Sequence, residues 1–138
     1  MDMYTREILG IAVSRFHDKN LVMEAFMDAE KKTNTHPVYL HSDQGSEYTS
    51  DDYKRYVTGK KITLSFAEKG SPWQNGFQES FYGKFKVDLG DVNRFEILGE
   101  LIVAIYQTIH YYNNKRMHTS LKMSPVAFKL LYEKRSFE

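Results

Sequence analysis

The chain contains no cysteine. That excludes disulfide frameworks, thiolate zinc sites and cysteine nucleophiles, so any chemistry must run on oxygen and nitrogen groups. It also fits a reducing compartment. No apolar run approaches the roughly 18 residues of a membrane span. The opening MDMYTREILG has neither the basic region nor the long apolar stretch of a signal peptide. A cytoplasmic protein with no membrane partner is the expectation. An excess of one charge sign is missing too: 19 Lys and Arg face 18 Asp and Glu, a net +1. Total charge is therefore silent about a polyanionic partner, and only its distribution can speak. No internal repeat, low-complexity segment or interdomain linker is visible, and 138 residues suit one domain, read as residues 1–138. What is present is globular: 41% apolar, 14% aromatic and 27% charged residues, far from the composition of disorder.

Glu7 to Ser14, EILGIAVS, is rich in Ile, Leu and Val and too short for a typical helix, which predicts a mostly buried strand. Asp18 caps a helix through about Lys32, with Leu21, Val22, Ala25, Phe26 and Ala29 on one face. Val38 to Leu40 reads as a second buried strand and turns polar at His41. A short helix over Ser50 to Tyr56 leads through Gly59 to a third strand, Ile62 to Phe66. Strand, helix, strand, helix, strand is an α/β pattern. Three helices follow, over about Gln74 to Val87, Phe95 to Asn113, and Ser124 to Glu133, the last with Pro125 in its first turn.

Two acidic residues stand out by position. Asp43 lies just past a buried strand, and Glu79 lies inside a helix that follows a glycine-containing loop; 35 residues lie between them. Carboxylates so placed can converge on a hard divalent cation, which takes oxygen ligands and keeps positions open for water and phosphate. Two such ions can hold the attacking and leaving oxygens of an in-line phosphoryl transfer. The alternative is that both are solvated surface groups, since an arbitrary acidic pair has no chemistry.

Three stretches go further: HSDQGSEYTS at 41–50, KGSPWQNGFQESFYGKFK at 69–86 and YYNNKRMHTSLKMSPVAF at 111–128. Together they resemble the catalytic core of DDE transposases and retroviral-type integrases, above all the second-frame transposases of bacterial insertion sequences. The resemblance covers nearly the whole chain in order. It implies an α/β, ribonuclease H-like three-layer fold, Mg²⁺ or Mn²⁺ as cofactor, and cleavage and strand transfer of DNA. It places Asp43 at the second metal-binding aspartate and Glu79 at the glutamate. It also implies a nucleoid-associated bacterial protein that forms a homo-oligomer or associates with an intact transposase.

One departure matters. In the family a first aspartate sits in a strand that precedes a second strand and then a turn of the form Asp-aromatic-Ser/Thr-Arg. Here the turn is Asp2-Met3-Tyr4-Thr5-Arg6, so the expected fold is incomplete, lacking the first two strands and the first aspartate. Asp2 is read as a turn residue. With two carboxylates the chain should bind metal weakly and be inactive alone. Loss of strands between Glu7–Ser14 and Val38–Leu40 should expose strand edges and invite association.

Several groups could meet DNA. Lys84 and Lys86 follow Glu79 on its helix, Lys86 two turns on, and either contact phosphate or are ordinary surface charges. Lys115 and Arg116 begin a stretch in which Lys122, Lys129, Lys134 and Arg135 face only Glu133 and Glu138. This stretch is either a non-specific phosphate contact or a solvated helix face. Trp73 and Asn75 precede the Glu79 helix and either touch a splayed base or backbone or anchor the loop. His41, Gln44 and Ser46 are candidates to support the Asp43 carboxylate from behind. A non-catalytic DNA-binding or assembly module is the competing reading.

Overall fold

The computed structural model describes residues 1–136, without the side chains of Pro72, Trp73 and Ser136. Asp18 starts the first helix as expected. Its carboxylate accepts the N–H groups of Asn20 and Leu21 at 3.0 and 3.2 Å, satisfying donors that an α-helix leaves open. Helix α1 (Lys19–Thr33) ends where Asn34 takes a left-handed φ of 53°. Strand β1 (Tyr39–Ser42) follows, then α2 (Ser46–Thr49), α3 (Asp51–Gly59) capped by the Ser50 hydroxyl, and β2 (Thr63–Phe66). A 3₁₀ turn (Pro72–Asn75) precedes α4 (Gly76–Leu89). A second one (Val92–Arg94) precedes α5 (Leu98–Asn114), and α6 (Pro125–Ser136) has its proline at the first helical position. No helix among the described residues is long and apolar enough to cross a membrane.

The chain forms two compact units, Leu9–Gly76 and Met1–Ile8 with Phe77–Glu138. In the first, β1 and β2 pair in parallel, Tyr39 with Thr63 through Ser42 with Phe66. The connection carries α2 and α3, since parallel strands need a crossover. Phe26, Tyr53, Val57 and Ile62 are buried together, with Val22, Leu40, Tyr56 and Leu64 packed around them. Each such side chain contributes roughly 1.5–3 kcal/mol by leaving water. Beside this core, Glu30 accepts from the Tyr56 hydroxyl at 3.0 Å and pairs with Lys60 at 2.9 Å and His36 at 2.7 Å.

The second unit packs aromatic rings. Phe81 of α4 touches Tyr112 of α5, with ring centres 5.0 Å apart and nearly perpendicular. Tyr4 packs on Phe128 and Tyr132 of α6. The Asn113 side chain donates to the Ile8 carbonyl and accepts the Ile8 N–H, both at 2.9 Å, and so ties the N-terminal stretch to the end of α5.

Two expectations are corrected. No ladder forms over Glu7–Ser14. A strand exists only with a partner strand, and β1–β2 is the one sheet among the described residues. Backbone polar groups here are met by side chains instead: Asn113 serves Ile8, and Asp28 of α1 accepts the Ile11 N–H at 2.9 Å. Val38–Leu40 is not a buried strand either. The ladder starts at Tyr39, and Val38 and Tyr39 are 70% and 69% exposed. β1 is hydrogen-bonded along one edge only, so its first residues stand at an uncovered margin. Helix α2 was not anticipated, because four residues give no periodicity to read.

Gly10 is held to glycine by close approach: a Cβ there would lie 2.0 Å from the Ala25 carbonyl oxygen and 2.8 Å from the Ala29 Cβ. Gly10→Ala should therefore destabilise the Leu9–Gly76 unit by about 1–3 kcal/mol, the usual cost of overpacking, read from urea denaturation. An unchanged midpoint would show that the segment stands off α1. Burial alone would raise the Glu30 carboxyl, but the Lys60 and Tyr56 hydrogen bonds and the Lys60 and His36 charges outweigh it and hold it below the ordinary range. A depressed folded value means stability present above the unfolded value, about pH 4.3, and lost as acid titrates the folded carboxylate. Thermal melts at decreasing pH should show the gap between wild type and Glu30→Gln closing below that point; a constant gap would contradict the assignment.

Candidate functional site

Strand β1 delivers Asp43. The strand ends at Ser42, and Asp43 is the next residue, exposed, its Oδ1 accepting the Gly45 N–H at 3.0 Å. This turn bends the chain into α2. The neighbouring polar residues fasten the loop. His41 Nδ1 lies 3.0 Å from Ser65 Oγ, its register partner on β2. Gln44 donates its amide to the Ala67 carbonyl at 3.0 Å, and Ser46 donates to Glu47 at 3.3 Å. These three therefore bond elsewhere, and the hydrogen bond to the Asp43 carboxylate comes from the Gly45 backbone. Closeness in the motif did not make them its partners, because the chain leaves the strand after Ser42 and each of these side chains meets a group on β2, after β2 or in α2.

Glu47 escaped the motif reading. Its side chain is only 11% exposed, its carboxylate lies 3.4 Å from His17 Nε2, and a Cβ on Gly45 would meet it at 2.8 Å. The Asp43-x-Gly45-x-Glu47 spacing was the available signal.

In the other unit, Glu79 sits exposed in the first turn of α4, where the helix dipole favours negative charge. Lys86 lies two turns further on the same face and is exposed, while Lys84 is half-buried. Asn75 lies in the 3₁₀ turn before α4 and is half-buried; the Trp73 side chain is outside the described residues. After α5, Lys115 is exposed, whereas both carboxylate oxygens of Asp88 accept from Arg116. Tyr112 is buried and Tyr111 is not. Burial first, and then the charges of Lys84, Arg6 and Arg116, hold the His118 imidazole below its usual range.

Asp2 is spent on its turn. Its Oδ1 accepts the N–H groups of Tyr4 and Thr5 at 3.1 and 2.6 Å and the Thr5 hydroxyl at 2.7 Å. Burial acts to raise this carboxyl, and those hydrogen bonds outweigh it and hold it low. Asp43 and Glu79 have the right donor chemistry for a hard cation. Among the described residues, however, no three His, Asp or Glu side chains are grouped so as to hold a metal ion.

Two family profiles, each described as an integrase core domain, match residues 1–72 and 60–125. The chain is 36% identical over 123 residues to the transposase for insertion sequence element IS904 of Lactococcus lactis, covering 88% of this chain and 49% of that protein. It is 30% identical over 129 residues to a transposase-like protein of Haemophilus influenzae, covering 93% and 60%. It thus spans about half of the first relative and three fifths of the second. Among solved structures, the HTLV-2 integrase catalytic core domain in complex with magnesium superposes with a TM-score of 0.72 at 16% identity, over 92% of this chain and 79% of that one. The BIV integrase core gives 0.68 at 18%, over 92% and 80%. At such identity the likeness shows the fold alone: ribonuclease H-like, with a two-stranded sheet that makes this an incomplete version of it. With a profile match over more than half of its residues, the chain belongs to the integrase core family, the catalytic core of DDE transposases and retroviral-type integrases.

Proposed function

We propose that the chain is the catalytic-core segment of an insertion-sequence transposase, contributing two metal-binding carboxylates to DNA cleavage and strand transfer, and inactive by itself. One observation carries the reading: in an integrase core sequence, Asp43 stands at the C-terminal end of β1 and Glu79 in the first turn of α4. In this reading Asp43 and Glu79 are ligands for Mg²⁺ or Mn²⁺. His41, Gln44 and Ser46 hold the Asp43 loop to β2 and α2. Lys84, Lys86, Lys115 and Asn75 meet DNA together with Trp73, while Arg116 is partly neutralised by Asp88. Residues 1–138 act as one domain on chromosomal DNA in the bacterial cytoplasm, as a homo-oligomer or beside an intact transposase. Two carboxylates provide fewer ligands and less negative charge than a two-metal phosphoryl transfer needs, which is why activity is not expected from the chain alone.

A second reading, a non-catalytic module that associates with an intact transposase, is favoured by the uncovered margin of β1, where Val38 and Tyr39 are exposed. Open strand edges pair with other chains.

The test is a nicking and strand-transfer assay with Mg²⁺ or Mn²⁺ on the purified chain, with Asp43→Asn and Glu79→Gln as controls. No product above background is expected. Activity abolished by both substitutions would overturn the inactivity and mean that another carboxylate completes the site. Nicking indifferent to both would remove these residues from the chemistry. Addition to an intact relative separates the second reading, which expects dose-dependent inhibition.

A further inference from the structure

Within the unit formed by Met1–Ile8 and Phe77–Glu138, basic side chains from separate stretches gather around His118 and the Tyr112 ring it touches. Arg6 comes from the N-terminal turn, Lys84 from α4, and Arg116 and His118 from the segment after α5. Their placement is fixed by the backbone. Asn113 clamps Ile8 through two hydrogen bonds of 2.9 Å, which brings the turn to the end of α5. The Arg6 guanidinium then lies over the Phe77 ring, 3.3 Å from its centre, and donates to the Met3 carbonyl. Its Nε is buried with no hydrogen-bond partner among the described residues. The His118 ring meets Tyr112 edge-on at 6.3 Å between centres, its Nδ1 lies 3.1 Å from Ser120 Oγ, and its N–H donates to the Met123 carbonyl.

Little negative charge answers these groups. Asp88 pairs with Arg116, and Glu7, next to Arg6, is taken by Lys129 of α6 at 3.1 Å. Three permanent cations thus face one carboxylate, with His118 as a further group that can charge. Like charges held together repel, and an anion among them relieves that repulsion. A guanidinium fork, an ammonium and an imidazole are the donor set that suits phosphate oxygens.

We infer that Arg6, Lys84 and His118 form a phosphate-binding site that takes one backbone phosphate of a DNA strand. The site contains neither Asp43 nor Glu79. It rests on the reading that the chain works on DNA and adds to Lys84 two residues that the motifs did not assign, Arg6 and His118. The groups facing His118 are Lys84 from α4, Arg6 from the turn, Arg116 from its own segment and Tyr112 from α5. Burial and the three positive neighbours disfavour the protonated ring. The single negative charge of a bound phosphodiester offsets the repulsion, so it must raise the pH at which His118 titrates. By linkage, the phosphate must bind more tightly as pH falls through that titration.

The test is a proton NMR titration of the five histidines in the unmodified chain, alone, with inorganic phosphate, and with a short single-stranded oligothymidylate. The His118 midpoint should move to higher pH with the oligonucleotide, while His17, His36, His41 and His110 stay in place. Lys84→Gln should weaken oligonucleotide binding several-fold, and Lys31→Gln, in the last turn of α1, should not. A response to the oligonucleotide only identifies a strand phosphate as the ligand; a response to inorganic phosphate as well supports a phosphate site that also accepts the free ion. No movement of His118 in either arm, or an equal drift of all five rings, would overturn the inference. The readout is a ring and not a reaction, so failure of strand cleavage with an intact His118 response would strike the proposed function and leave this site standing.

Discussion

The placement of Asp43 in the Leu9–Gly76 unit hangs on one four-residue parallel ladder. β1 and β2 exchange hydrogen bonds from Tyr39 and Thr63 to Ser42 and Phe66, and flanking bonds extend the contact, Thr63 to the Val38 carbonyl and Ala67 to that of Ser42. Ser42 is the last residue of the ladder, so Asp43 leaves the sheet at a fixed point. The His41–Ser65 contact and the Gln44–Ala67 hydrogen bond tie the outgoing loop to the neighbouring strand. A slip of one residue would turn Asp43 to the other face of the sheet, because side chains alternate along a strand. The ladder also has a limit. It occupies one edge of β1, so Val38 and Tyr39 remain open to water, and in the Leu9–Ser14 stretch the Ile11 N–H is met by Asp28 of α1 rather than by a strand.

The sequence was informative where a local signal had one physical meaning. Asp18 announced a helix start because it offers an oxygen to an unpaired N–H, and Pro125 marked a first turn because its missing N–H is not needed there. The helix expected over Phe95 to Asn113 is α5, Leu98–Asn114. What could not be read was whatever depends on a second stretch of chain. EILGIAVS has the composition of a strand, yet composition does not supply a pairing partner, and Gly10 meets α1 at a distance that no local pattern encodes. At the candidate site the positions of Asp43 and Glu79 at element ends were legible from the motifs. The hydrogen bonds of His41, Gln44 and Ser46 were not, since each goes to a group outside the direction the motif suggested. Arg6 was readable only as a turn residue, because its neighbours Phe77 and Tyr112 lie more than seventy positions away.

The two units contribute different chemistry. The Leu9–Gly76 unit presents one carboxylate on a loop braced by the sheet. The other presents Glu79 at the start of a helix and gathers cations around His118. Carboxylates attract a divalent ion and cations attract phosphate. Affinity for a hard cation rises with the number and charge of the oxygen ligands offered to it.

The most direct test of this account is a Mn²⁺ titration followed by backbone amide NMR, in which the paramagnetic ion broadens signals close to it. The account predicts that Asp43, Gln44 and Gly45 and the residues flanking Glu79 broaden over the same range of metal concentration, and that Asp43→Asn and Glu79→Gln each weaken the effect. Broadening confined to other acidic surfaces, such as Asp51 and Asp52 at the start of α3, with Asp43 and Glu79 unaffected, would contradict it.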